Sequence, residues 1–154
     1  RDTIIGRCFM LGIIMSVVAG AAMSLQGVIN TRLSEKVGLY ESNVFVQATA
    51  LALGLIVMWM FGKGDLSEIT QVNKIYWTGG ILGTVIIVTV MLAIGNLRPT
   101  QAIAIILISQ LLVAAVIDAF GWLGTEKISF TWNKWVGLAL MIAGVIAFKW
   151  ERSG

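Results

Sequence analysis

Gln26, Asn30, Gln47, Ser109, Gln110 and Asp118 are polar residues set inside stretches otherwise built from Val, Ile, Leu, Ala, Met and Gly. A carboxamide offers both a donor and an acceptor but no proton. Gln26 and Asn30 are four apart, so a helix puts them on one face with Ala19 and Met23. Two amides are costly to bury idle, which leaves hydrogen bonds to a solute or across helices. Gln110, Ala114 and Asp118 share a face in the same way. Asp118 is the carboxylate that borders an apolar stretch from within, and an ionisable group so placed suggests coupling or gating. The alternative is an interfacial Asp118 that bonds the following loop or pairs with Lys127, since an acid at a helix C-terminus opposes the dipole. Gln47 is the weaker pathway candidate, with Asn43 near the entrance of the same stretch.

Other chemistries lack residues. The chain has no His and a single Cys, Cys8, so His-based acid–base work, an internal disulfide and Cys/His metal sites are all excluded. No Gly-rich phosphate loop runs into a Lys-Ser/Thr pair. No cofactor or metal is expected, and enzymatic activity is not expected either. Eleven Lys and Arg against eight Asp and Glu give a net charge of +3. The cations are scattered singly, without the basic patch that a nucleic acid partner requires.

The elements that must hold these residues follow from composition. Of 154 residues 58% are hydrophobic and 12% charged, about half the charge of a soluble domain. Uncharged runs of 24, 21, 23 and 19 residues cover 8–31, 42–62, 75–97 and 99–117. Each meets the roughly 20 residues a helix needs to cross the hydrocarbon core. A fifth run, 135–148, is shorter, but Trp132, Trp135 and Trp150 flank it as an interfacial belt. Lys134 and Lys149 can snorkel at its ends. The fold expected is all-α integral membrane, with five transmembrane helices near 8–31, 43–61, 75–96, 100–120 and 132–150 in one domain, 1–154. Arg32–Glu41 reads as a polar turn and 62–74 as a solvent loop. Asn96–Thr100 is a tight link with Pro99 in a first helical turn. Residues 8–22 could pass for the apolar core of a signal segment, but the uncharged run continues to 31 and no secreted domain is expected after it, and Arg1 in place of Met suits a processed terminus.

Small residues mark packing seams. Gly12, Ser16 and Gly20 form a small-xxx-small stripe in the first helix, and Gly79 and Gly83 repeat the spacing in the third. Gly137 and Gly144, seven apart in the fifth, make a candidate dimer seam or an internal one. The cations divide almost evenly between the two faces of a five-span protein: six (Arg1, Arg7, Lys63, Lys74, Lys127, Lys134) against five (Arg32, Lys36, Arg98, Lys149, Arg152). Orientation follows Lys and Arg excess, so this balance predicts dual topology and an antiparallel homodimer of ten helices.

The order of motifs is also informative: Gln26 with Asn30-Thr31-Arg32-Leu33, then Trp77-Thr78-Gly79-Gly80-Ile81-Leu82-Gly83. Next come Ser109-Gln110-Leu111-Leu112 with Ile117-Asp118-Ala119-Phe120-Gly121, and finally Gly137-Leu138-Ala139-Leu140-Met141-Ile142-Ala143-Gly144-Val145. Over essentially the whole chain this resembles the half-size, five-span YdcZ-type (EamA-like) branch of the drug/metabolite transporter superfamily. Ser109 and Ala119 stand where the pattern has Gly and His. The first expected span, 8–31, has no Glu, so the membrane carboxylate of the four-span multidrug exporters does not carry over. The resemblance implies a multi-pass protein of the bacterial inner (cytoplasmic) membrane that works as a pair of halves, identical or homologous. The expectation is a secondary transporter of a small polar or amphipathic metabolite or drug, working by alternating access. The alternatives are a half-subunit or modifier of a heterodimeric transporter, and a passive channel.

Overall fold

The computed structural model describes residues 2–128 and 131–149. Arg1, Trp150 and Arg152, which the sequence reading uses in the charge balance and the aromatic belt, lie outside the described residues. All regular structure among the described residues is helical, and the chain divides into two units, 1–95 and 96–154.

The first unit holds α1 (Asp2–Val37), α2 (Leu39–Phe61) and α3 (Gly79–Asn96). At 36 residues α1 is about 54 Å long, well beyond the hydrocarbon thickness. The expected polar turn at Arg32–Glu41 is therefore corrected: the helix runs on through Ser34, Glu35 and Lys36. Here the charges sit at helical spacing, with Arg32 paired to Glu35 at 3.0 Å on an exposed face. The break is one residue, Gly38, at φ 102° and ψ 155°, a region essentially confined to glycine. Its N–H donates to Ser34 O and its own carbonyl accepts from Ser42 N–H, so each helix end is closed without a loop.

Between α2 and α3 the chain makes two 3-10 turns, Leu66–Thr70 and Lys74–Thr78. Asp65 accepts from Ser67 N–H and Asn73 from Ile75 N–H, satisfying donors that each turn leaves open. Trp77 Nε1 donates to Ile69 O at 3.1 Å and ties the turns together. The third helix thus begins as α-helix at Gly79 rather than at 75, its approach being wound as the second of these turns. The stretch 74–96 remains long and apolar enough to span.

The second unit holds α4 (Pro99–Phe120) and α5 (Trp132–Lys149). Pro99 occupies the first turn of α4, where its missing N–H leaves nothing unbonded. Gly121, at φ 65°, closes the other end through its N–H to Ile117 O. Four helical stretches are long and apolar enough to cross a bilayer, 6–37, 39–61, 74–96 and 99–120. The apolar part of α5, Trp132–Ala147, is shorter.

Candidate functional site

Along α1, burial is confined to the C-terminal third. From Gly6 to Gln26 no side chain is buried, whereas Gly27, Asn30 and Thr31 are. Gly27 explains the change. A Cβ there would lie 2.9 Å from Ile94 Cδ1 and 3.1 Å from Val90 Cγ1, so α3 packs against bare backbone. Beside this contact a cleft opens between Met23, Gln26, Gly27 and Asn30 of α1 and Ile86, Ile87 and Val90 of α3. Its volume is about 40 Å³, room for a few waters rather than for a solute. Gln26 is exposed at this cleft, while Asn30 retains only 6% exposure and still lines it.

Behind Asn30 lies a polar cluster where α1 meets α2. Asn30, Thr31, Ser42 and Asn43 are the buried polar residues among those described, and none is ionisable. Thr31 Oγ1 donates to Gly27 O at 2.7 Å, a full intrahelical bond. Ser42, wholly inaccessible, reaches only Asn30 O at 3.4 Å and Met91 Sδ at 3.6 Å. Asn43 Oδ1 is buried with no hydrogen-bond partner. One turn on, Gln47 Nε2 donates to Thr84 Oγ1 at 3.2 Å, joining α2 to α3. Gly83 leaves space for that amide, whose nitrogen would lie 3.6 Å from a Cβ there.

In the second unit, Gln110 and Ser109 are exposed on α4. Ser109 Oγ donates to Ile105 O at 3.0 Å and is satisfied within its own helix. Asp118 is half-buried in the last turn, and its carbonyl accepts from Ile128 N–H at 2.9 Å, which folds the following loop back onto the helix end. No ion pair joins its carboxylate to Lys127 among the described residues. Next to this helix end Leu112, Ala115, Val116, Ala119 and Phe120 face Trp135 and Leu138 across a wholly apolar groove of about 130 Å³. Gln110 is not among its walls.

The small-residue positions separate clearly. At Gly12, Gly20, Gly79, Gly137 and Gly144 a Cβ would meet no neighbour of its own unit within 4 Å. Ser16 Oγ bonds back to Gly12 O at 2.8 Å. The close helix approach in the first unit is made instead by Gly27, which the sequence reading did not single out, and Thr31 and Ser42 were missed likewise. Only the alignment of Asn43 with Gln47 at helical spacing signalled that the entrance of α2 faces protein.

Residues 11–147 match the family model described as "Putative inner membrane exporter, YdcZ", which is of drug/metabolite transporter type, and the chain belongs to this family. No curated protein and no solved structure matches it significantly.

Proposed function

Taking membership of the YdcZ exporter family as the premise, we propose that the chain is one half of a secondary transporter for a small polar or amphipathic solute. The family supports a membrane transporter rather than an enzyme, and apolar helices suit a multi-pass inner-membrane protein. The observation that carries the finer reading is Asn30, buried yet lining a cleft with Gln26, in surroundings without an ionisable group. Such a site recognises its cargo through neutral hydrogen bonds. Its small volume argues that a second half completes it. Two inverted copies would supply ten helices about an axis in the membrane plane, the arrangement that permits alternating access. The open glycines at 12, 20, 137 and 144 leave room for a helix of the second copy to approach. In this reading Gln26, Asn30 and Gln110 face the pathway and Asp118 couples or gates.

The single native cysteine makes a direct test practical. In a Cys8→Ser background, Gln26→Cys and, as a control at an exposed apolar position outside the cleft, Val17→Cys are treated with a water-borne thiosulfonate in membrane vesicles. Faster modification at 26 by tenfold or more is expected. Equal, slow modification at both positions would overturn the pathway.

A further inference from the structure

A buried acceptor without a donor is expensive. Leaving one unmade costs more than a hydrogen bond usually contributes, and native interiors rarely tolerate it without a water, ion or ligand to explain it. Asn43 is 8% exposed and its Oδ1 has no partner. Its chain neighbour Ser42 is fully buried, and its hydroxyl has only a long contact to Asn30 O at 3.4 Å and one to the thioether Met91 Sδ, a weak acceptor, at 3.6 Å. Two adjacent, under-bonded polar groups therefore lie one step behind Asn30, the residue that also lines the α1–α3 cleft. Gln26 and Asn30 line the cleft, Asn30 O is the oxygen nearest the Ser42 hydroxyl, and Asn43 follows Ser42 in the chain.

We propose that Ser42 and Asn43 form a second, deeper station of the pathway that receives a neutral hydrogen-bond donor, a hydroxyl or an amide N–H, of the transported solute. This rests on the transporter reading above and narrows its substrate class. Charge decides between a neutral donor and a cation. Asn30, Thr31, Ser42 and Asn43 are all uncharged, so a buried cation would have no counter-charge among them. Both residues also lie in the opening turns of α2, where the helix carries its positive end. A neutral donor meets the orphaned oxygen without that penalty. Thr31, already bonded to Gly27 O, stays outside the exchange.

The test is thermal unfolding of the full chain in detergent, alone and with millimolar erythritol, acetamide, sodium chloride or tetramethylammonium chloride. Erythritol, acetamide or both are expected to raise the melting temperature saturably, with neither chloride doing so. Asn43→Leu is expected to melt no lower than the parent and to lose the shift. Ser42→Ala, which removes only a weakly held hydroxyl, is expected to fold and to weaken it. A shift retained in Asn43→Leu overturns the station, as does a shift given by the chlorides alone or by none of the four probes. A marked fall in the melting point of both Asn43→Leu and Ser42→Ala would overturn it as well, by showing that an internal water had satisfied the site. The modification rate at Gln26→Cys is independent of these results. A reactive position 26 with no probe effect sinks the station alone, and an unreactive one sinks the pathway.

Discussion

Gln47 Nε2 donates to Thr84 Oγ1 at 3.2 Å, and Thr84 Oγ1 in turn donates to Gly80 O at 3.3 Å. The relay runs from α2 into the backbone of α3 and occupies an amide that the sequence offers as a pathway residue. Hydrogen bonds between membrane helices average about 0.6 kcal/mol. Thr84→Val, which keeps the shape and removes the hydroxyl, is therefore expected to destabilise by about 0.5–1.5 kcal/mol. Denaturant titration in mixed micelles measures it. A change below the error of that titration would show that the bond contributes no net stability.

Gly27 separates two substitutions that differ by two methyl groups. Alanine gains helix propensity of about 0.5–1 kcal/mol and presses only on the ends of Ile94 and Val90, at 2.9 and 3.1 Å from the new Cβ. Gly27→Ala is expected to lie within about 1 kcal/mol of the parent. Gly27→Val adds bulk that those ends cannot clear together and is expected to destabilise by about 1–3 kcal/mol. Equal melting of the two variants would show that α3 does not seat on this backbone.

Gly38 is a conformational requirement rather than a packing one. At φ 102° and ψ 155° a side chain is strained whatever the space, and a Cβ would also press on the Glu41 carboxylate. Gly38→Ala is expected to cost about 1–3 kcal/mol. Replacing Glu41 as well with Ala clears the contact but not the strain, so the double variant should recover little. Full recovery would assign the cost to Glu41.

Legibility varied with how local the cause was. The helical spacing of Gln26 and Asn30 sufficed to place both on one face, and both line one cleft. Each apolar run likewise overlies a helix, though α1 continues past its run at both ends and the α-helical part of the third begins only at Gly79. The polar segment 32–41 misled because its charges read as loop, when Arg32 and Glu35 are spaced to pair on an exposed face of a helix that continues to Val37. Gly27 and Ser42 were invisible for another reason. Their roles depend on which residues of α3, Ile94, Val90 and Met91, lie opposite, and that register is a tertiary fact with no periodicity in the sequence.

The loop before α3 carries a pH-dependent element. Hydrogen bonds from Ser67, chiefly its backbone N–H and then its side chain, hold the Asp65 carboxyl below its ordinary value against a small opposing effect of burial. A carboxyl depressed on folding stabilises the folded turn above its unfolded value, and the contribution is lost as pH falls through the folded value. Amide exchange at Ser67 should therefore be protected at neutral pH and lose that protection in acid. Asp65→Asn should flatten the dependence. A dependence unchanged in that variant would place the titrating group elsewhere.

The balance of cations makes orientation adjustable by small changes. If α5 crosses along with the four longer helices, six Lys and Arg lie on one face against five on the other, and short-loop cations, not net charge, decide insertion. A C-terminal fusion to a reporter active only in the cytoplasm and one to a reporter active only outside should then both give signal. Replacing Arg32 and Lys36 with Ala leaves three cations against six. The face carrying Lys63 and Lys74 should now be retained inside, and the C-terminal signal should move to the outer reporter. Both substituted residues are exposed at the end of α1, and the Arg32–Glu35 pair removed with them lies on the surface, where such pairs contribute about 0–1 kcal/mol. The shift therefore reads topology rather than unfolding. Signal on one side only in the parent chain would exclude dual insertion, and with it an inverted pair of identical copies. If α5 did not cross, the C-terminus would share a face with Lys63, the cations would divide eight to three, and the parent and the double variant alike would give only the cytoplasmic signal.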